Sequence, residues 1–522
     1  MTKRPQTENE EGFQVRATIA KKLANSKRRI ERRLDKEKHG ELDGLLSTPH
    51  TVHYEIAGRS RGIAHGGIGA IHTLARQIGL IDAIDRRLEL LKFYRPYHES
   101  DHVLNIAYNA LCEGTCLQDI ELRRTDEVFL DALATRRIPD PTTEGDFCRR
   151  FNSLDIEILQ DTFNDVRLGV WKRQPDSFFD LATIDMDGTL VETSGQCKAG
   201  MSIAYDGTWG YHPLVLSLAE TGEVLWLVNR PGNRPSHEGA AAAVDRVVQL
   251  YRQAGFRKVL LRGDTDFSQT EHLDRWHAAG TLFLFGFDAT PNLKSMAEDL
   301  PAKAWQPLTR LLAYTIPSQP RRRPDNVKEG IVIEREFENR RLGSEEVAEF
   351  VYQPTACRQA YRMVVIRKNI SVSKGENLLF DEVRYFFYIT NSTILDREQI
   401  VWTANQRGNQ ENLLAQLHGA VSALKAPVNT LESNWAYMVM TALAWNLKAW
   451  WALHLPVCSG RWQERHTVEK RWVLGLEFKT FVQAFIRLPC QIVRTGRKLI
   501  YRLLSWNPQQ RIFWRLITAL RC

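Results

Sequence analysis

The chain has 522 residues, 43% apolar and 25% charged, with 70 Lys and Arg against 62 Asp and Glu and a formal charge of +8. That length suits roughly two to four domains with a large core, and the surplus of positive charge suits a polyanionic partner. The most apolar stretch, residues 434–457, is interrupted by Asn446 and Lys448, which excludes a membrane span and leaves a buried helix.

Residues 1–50 read as a basic, partly disordered arm. Lys21, Lys22, Lys27, Arg28, Arg29, Arg32, Arg33, Lys36 and Lys38 form a polybasic helix or arm, and cations so clustered give salt-sensitive, sequence-independent contact with DNA phosphates. Arg28, Arg29 and Arg32 are the contacts expected from it. The N-terminal stretch is charged and has no apolar signal region, so a cytoplasmic protein is expected. Residues 51–175 read as a helical DNA-binding region, because the run from Gly66 to Leu91 repeats its apolar residues at three-and-four spacing. Pro139 and Pro141 close its main helical part, and Thr142, Thr143 and Asp146 resemble a helix start. The cysteines are scattered. Cys112 and Cys116 make a lone C-x-x-x-C without matching His or Cys, which argues for idle thiols in a reducing compartment rather than a zinc site.

From about Phe178 the pattern turns to strands. LATIDMD (181–187) is a strand with Ile184 and Met186 on one face and Asp185 and Asp187 on the other. MSIAYDG, PLVLSLA and VLWLVNR follow as further strands. RPGNRPSHEG (230–239) is a loop opening a helix that Gly255 stops, and FRKVLLRGD is a strand ending at Asp264. A second helix then ends at Gly280, and TLFLFGF is the next strand. This order of consecutive strands, then helix, strand, helix and strand, is an α/β layered pattern matching an RNase H-like core. Residues 294–395 read as a β-rich insertion, with strands IVIEREF (331–337), EEVAEFVY, YRMVVIRK and VRYFFYIT. The core, 176–293, resumes at 396–460 with helices. Residues 461–522 read as a basic helical C-terminal region carrying Arg487, Arg494, Arg497, Lys498, Arg502, Arg511, Arg515 and Arg521.

Three acidic positions carry the chemistry. Asp185 and Asp187 share a strand face with Cα atoms roughly 6.6–6.8 Å apart, Asp264 ends a strand, and Glu411 lies on an amphipathic helix with Arg407 one turn before it. Carboxylates at strand ends, joined by one from a distant helix, are how a protein holds a pair of Mg²⁺ ions for phosphoryl transfer. Asp187 is followed by Gly188, so turn formation explains one member of the first pair but not both. At Asp264 the cap of the following turn can come from Asp266 or Ser268. Arg230 and Arg234 flank a Gly-Asn turn at a helix N-terminus, where phosphate contact and plain turn-and-cap structure are both open. The tryptophans Trp435, Trp445, Trp450 and Trp451 recur at near-helical spacing and read as core.

The ordered runs TIDMDGT, GYHPLVLSLAETGEVLWLVNRPGNRPSHEGA, KVLLRGDTDFS, FLFGFDATPNL, NQRGNQEN and NWAYMVMTALAWNLKAW resemble the group 1 DDE transposases, bacterial insertion-sequence enzymes with an RNase H-like catalytic core. The resemblance spans about residues 60–460. It implies Asp187 as the first catalytic and metal-binding acid, with Asp185 as rival, Asp264 as the second and Glu411 as the third. It also implies Arg407 as a DNA-phosphate contact and two Mg²⁺ ions, replaceable by Mn²⁺. The partners it implies are double-stranded DNA, as element ends and target, and a homodimer or higher assembly on DNA in a bacterial, nucleoid-associated setting. Two positions depart from the tyrosine-arginine-glutamate-lysine helix signature: Ala404 stands for the Tyr and His418 for the Lys. The alternative is a HAD-type phosphohydrolase, since IDMDGTLVET fits D-x-D-G-T with Asp185 as nucleophile and Asp187 as acid/base. That reading leaves Glu411 and the basic termini without a role.

Overall fold

Strand β1, Ala182–Gly188, lies inside a nine-stranded sheet, flanked by β2 (Leu214–Leu218) and β4 (Val259–Gly263). Its first five residues are buried, as expected for a strand covered on both faces. With β3 (Glu223–Val228) and β5 (Leu282–Phe287) these strands run in the order β3-β2-β1-β4-β5. β1 pairs in parallel with β4, and β4 with β5, while β2 is antiparallel to both β1 and β3. This 3-2-1-4-5 order with the second strand reversed is the RNase H-like core that the sequence pattern implies.

The computed structural model describes residues 7–38, 54, 60–92, 96–195, 198–310, 327–374, 377–495, 498–504 and 506–520. Arg497, Arg521, Cys197, Cys522 and the rest of the expected N-terminal arm lie outside the described residues. The chain divides into two compact units, Met1–Glu144 with Trp450–Cys522, and Gly145–Ala449.

In the second unit, β6 (Gln306–Pro307), β7 (Glu338–Tyr352), β8 (Tyr361–Lys374) and β9 (Asn377–Thr390) continue the same sheet. The link is β9 on β5, with Phe387 opposite Phe287 and Thr390 opposite Leu284. The β-rich stretch is therefore an extension of the core sheet and not a separate layer. One expected strand is absent: Val327–Glu334 is a helix. Its β-branched run Ile331 to Ile333 finds no strand partner, and its backbone closes locally through Arg335 N–H to Ile331 O at 3.0 Å. Local context outweighs β propensity there. MSIAYDG likewise gives only the two-residue strand Ser202–Ile203, on a small sheet with Val191–Glu192 and Trp209–Tyr211.

Helices cover this sheet. α1 (Ser153–Trp171) starts with a capping box between Asn152 and Asp155. Its buried Arg167 donates to Glu223 at 2.9 Å, and Trp171 Nε1 donates to the same carboxylate at 3.0 Å. α2 (Ala240–Ala254) buries Val244, Val247, Val248 and Tyr251, and stops at Gly255 with φ of 89°. α3 (Arg397–Asn405) seats Ile400 and Val401 in one cluster with Leu260 of β4, Leu284 of β5, Val347 of β7, and Val364 and Ile366 of β8. α4 (Gly408–His418) packs on β1. In α5 (Leu431–Leu453), Asn446 bonds to both the N–H and the C=O of Val224, at 2.8 and 2.9 Å, and Trp435 and Trp445 donate to Leu227 O and Gly222 O. The polar residue that interrupts the apolar run thus satisfies sheet backbone inside the core. Among the described residues no helix is long and apolar enough to cross a membrane.

In the first unit, Thr7–Lys38 is a single helix on which Arg28, Arg29 and Arg32 are exposed. Helices follow through 68–132. The C-terminal region differs from its all-helical expectation: Cys490–Thr495 and Lys498–Leu503 pair antiparallel, and Arg61–Ile63 joins as a third strand. In the second of these strands, half-buried and exposed residues alternate. That period of two is a strand signal that the exposed Ile500, between Lys498 and Arg502, obscures in the sequence. Cys112 is buried and Cys116 exposed, both free.

Candidate active site

Asp187 sits at the end of β1, where the chain leaves the sheet. Asp264 follows β4 directly, on the strand beside it. Its Oδ1 accepts the Asp266 N–H at 3.1 Å, so Asp264 itself caps the short turn Thr265–Phe267, a job the sequence pattern assigns to Asp266 or Ser268. Glu411 stands in the first turn of α4, with Arg407 at the N-cap.

These three carboxylates meet on one cation. Arg407 Nη1 lies 3.4 Å from Asp187 Oδ2 and 3.3 Å from Asp264 Oδ2, and Nη2 donates to Glu411 Oε1 at 3.1 Å. Asp187 is mostly buried, its side chain 13% exposed, whereas Glu411 is 62% exposed. Burial, and then the charge of Asp264, push the Asp187 carboxyl up to about 7 against the pull of Arg407. Asp264 is also raised, again by burial and against Arg407. One guanidinium therefore leaves the cluster short of positive charge.

Asp185 is not part of this cluster. It sits opposite Arg262 in the β1–β4 ladder. Both its oxygens are taken by that guanidinium, from Nε at 2.6 Å and from Nη2 at 2.7 Å, and its side chain is 1% exposed. Arg262 Nη1 donates onward to Thr403 O in α3, one turn before Arg407, at 2.7 Å. The Asp185–Arg262 pair thus ties the two central strands to the helix leading into α4. Sequence reasoning missed Arg262, although a single Arg in the apolar strand Val259–Gly263 is a signal for a buried acidic partner.

α4 is fixed at both ends. In its first turn the buried Gln410 donates to Val215 O at 3.1 Å and accepts from Ser217 Oγ at 2.5 Å, both on β2. In its last turn His418 Nε2 lies 2.8 Å from Thr189 Oγ1, just beyond Asp187. Burial, assisted by Lys425, lowers His418 below the usual imidazole range, so it is neutral at pH 7 and joins the two elements by a hydrogen bond without adding charge. Nothing in the sequence pattern singled out Gln410, which is masked by its neighbour Glu411.

Of the loop arginines, Arg230 is buried, with its guanidinium on the carbonyl oxygens of His212, Pro235, Ser236 and Glu238 at 2.7–3.2 Å. It braces the loop. Arg234 is exposed and pairs with Glu238 at 3.2 Å. Of these two, Arg234 is the one presented to solvent.

The sequence matches the family model described as Transposase DDE domain group 1 over residues 50–522. The chain belongs to that DDE transposase family. It is a transposase, with the domain of an enzyme that cuts and joins DNA. No curated protein matches the sequence. Among solved structures, it is similar to one described as a cryo-EM structure of piggyBac transposase synaptic complex with hairpin DNA. The identity is 10%, covering 82% of this chain and 84% of that one, and the TM-score is 0.37, too low to carry an argument. The HAD-type alternative is overturned by the family and by the site. A nucleophile must reach its substrate, and the Asp185 side chain, held at both oxygens by Arg262, is 1% exposed.

DDE transposases use divalent metal ions, and the donor set of this transposase suits them: three carboxylates from three elements, short of counter-charge, and only hard oxygen donors. Among the described residues no three acidic, His or Cys side chains stand ready-made around a metal position, because the carboxylates are spread over Arg407.

The raised Asp187 has a consequence for stability. A carboxyl near 7 in the folded state and near 4 when unfolded means that the folded protein holds the extra proton, so stability falls as pH rises between those values. Asp187→Asn removes that load. It is expected to raise the Tm of the metal-free transposase at pH 8 and leave it unchanged at pH 4, with the gain growing between. Thermal unfolding across that range checks it, and a gain independent of pH would contradict the assigned environment.

Proposed function

We propose that this transposase binds the terminal repeats of an insertion sequence and catalyses strand cleavage and strand transfer at a site made by Asp187, Asp264 and Glu411. The single observation supporting this is the convergence of those carboxylates, from β1, the β4 tip and α4, on one guanidinium.

In this reading the three carboxylates hold two Mg²⁺ ions, which Mn²⁺ replaces. When bound, these ions supply a lowered water pKa and a counter-charge for the reacting phosphate. Asp187 and Asp264 are fixed by neighbouring strands, so their spacing is set by the sheet. Gln410 and His418 fix α4 and hence Glu411. Arg407, at the rim, binds a phosphate oxygen. Arg234 and the exposed Arg28, Arg29 and Arg32 add phosphate contacts whose strength falls with salt. Cleavage by water breaks a phosphodiester to leave a 3′-hydroxyl and a 5′-phosphate, and that hydroxyl attacks a target phosphate in line, expelling the target strand's own 3′-hydroxyl. Two element ends call for a homodimer or higher assembly on DNA, in the nucleoid of a bacterial cytoplasm.

The test is a duplex carrying the inverted repeat that flanks the coding region, incubated with the full chain and Mg²⁺ or Mn²⁺. Cuts at the repeat end that leave 3′-hydroxyls are expected, and none with EDTA. Failure to cut with either ion, alongside turnover of a small phosphomonoester, would overturn the reading.

A further inference from the structure

Two arginines contact aspartates of β1, and their geometries differ. Arg262 grips Asp185 by two bonds of 2.6 and 2.7 Å, with both side chains almost fully buried. Arg407 makes three contacts of 3.1–3.4 Å to three different carboxylates, and its side chain is 24% exposed. Charge-assisted bonds at full strength are about 2.7–2.9 Å. Arg262 is therefore a fixed partner, whereas Arg407 is a loosely shared one with a way out to solvent.

The carboxylates that Arg407 touches are the ones the functional reading above gives to the metal ions. A guanidinium is charged at every working pH. It cannot share those carboxylates with a divalent ion without bringing like charges into contact in a half-buried site. We infer that Arg407 is a resident counter-ion of the free enzyme, which metal ions displace as they load. Displacement frees the same guanidinium for a phosphate oxygen, the ligand its planar fork suits. Metal loading and DNA engagement then assist each other, because each removes a cost from the other, and the coupling is reciprocal. In the free protein Arg407 thus has two effects: it keeps the three carboxylates gathered, and it lowers their affinity for ions until DNA offers it another anion.

This inference rests on the proposed metal site, and the experiment separates the two. The full chain is titrated with Mn²⁺ without DNA, bound ion is followed by electron paramagnetic resonance, and thermal unfolding is recorded in parallel. Arg407→Gln, with no competing cation, is expected to bind Mn²⁺ at least about tenfold more tightly than wild type, the factor that about 1.4 kcal/mol represents. Its Tm should be lower without metal and rise further on saturation than wild type does. Asp264→Asn in the Arg407→Gln background should abolish the tight binding. Equal affinities in wild type and Arg407→Gln, both lost with Asp264→Asn, would overturn the counter-ion role and leave the metal site standing. Mn²⁺ binding that survives Asp264→Asn would overturn both.

Discussion

Glu411→Gln is expected to leave the transposase folded and bound to its DNA ends while strand cleavage falls by roughly 10³-fold. The two halves of that result have separate physical origins. Glu411 is 62% exposed, and its contact with Arg407 is a single i,i+4 pair at 3.1 Å. Pairs of that kind contribute about 0–1 kcal/mol, and Gln keeps the size and helix propensity of Glu, so the fold has little to lose. The neighbouring anchor Gln410, which holds α4 on β2, is untouched. What Gln cannot supply is the anionic oxygen that completes the carboxylate set. Losing a ligand of ions that stabilise transition-state charge costs several kcal/mol, and about 4 kcal/mol is roughly 10³-fold in rate. Cleavage of labelled end DNA, read beside a gel-shift of the same duplex and a thermal melt, checks all three parts. Cleavage near the wild-type rate would remove Glu411 from the site.

The elements that could be read from sequence are those whose signals are local. β1, β4 and their acidic ends are legible because an apolar run meets a turn at each, and Gly255 stops α2 as its position predicts. Glu411 became legible through the ordered family motifs and not through its own surroundings, since an Arg–Glu pair one turn apart is common on solvated helices. What stayed hidden depends on contacts remote in sequence. The continuation of the core sheet by β7, β8 and β9 rests on one ladder between β9 and β5. That pairing has a structural consequence: Val347, Val364 and Ile366 complete the floor under Ile400 and Val401, so the β-rich stretch helps seat the helix that leads into Arg407 and Glu411. The helix at Val327–Glu334 and the hairpin at Cys490–Leu503 were missed for related reasons. Three β-branched residues in a row imply a strand only if another strand lies beside them. A period-two pattern is hard to see when an apolar residue, Ile500, stands among its exposed positions beside Lys498 and Arg502.

The alternation of a strand also put Asp185 and Asp187 on one face, which made them look equivalent, and the surroundings separate them. Asp185 and Arg262 form a buried pair at 1% and 2% exposure with a third bond to Thr403 O. Breaking such a pair by removing one partner leaves the other charge uncompensated, at a cost of about 3–5 kcal/mol. Arg262→Met is therefore expected to lower the Tm by many degrees, and Asp185→Asn likewise, because the amide oxygen accepts only one of the two guanidinium bonds, its NH₂ meets the other donor, and the buried Arg262 charge is left unpaired. The double replacement Asp185→Leu with Arg262→Met should recover part of the loss seen with Arg262→Met, since no buried charge remains. Cleavage discriminates the roles. Normalised to folded protein, Asp185→Asn should retain cleavage within about tenfold of wild type, while Asp187→Asn should lose roughly 10³-fold, the scale of a lost metal ligand. The residual loss in Asp185→Asn would come through α3, because slack at Thr403 O is passed to Arg407 and Glu411 one and two turns later. An Asp185→Asn protein with wild-type Tm and no cleavage would place Asp185 among the reacting groups, and its pairing with Arg262 would then have to open during the reaction.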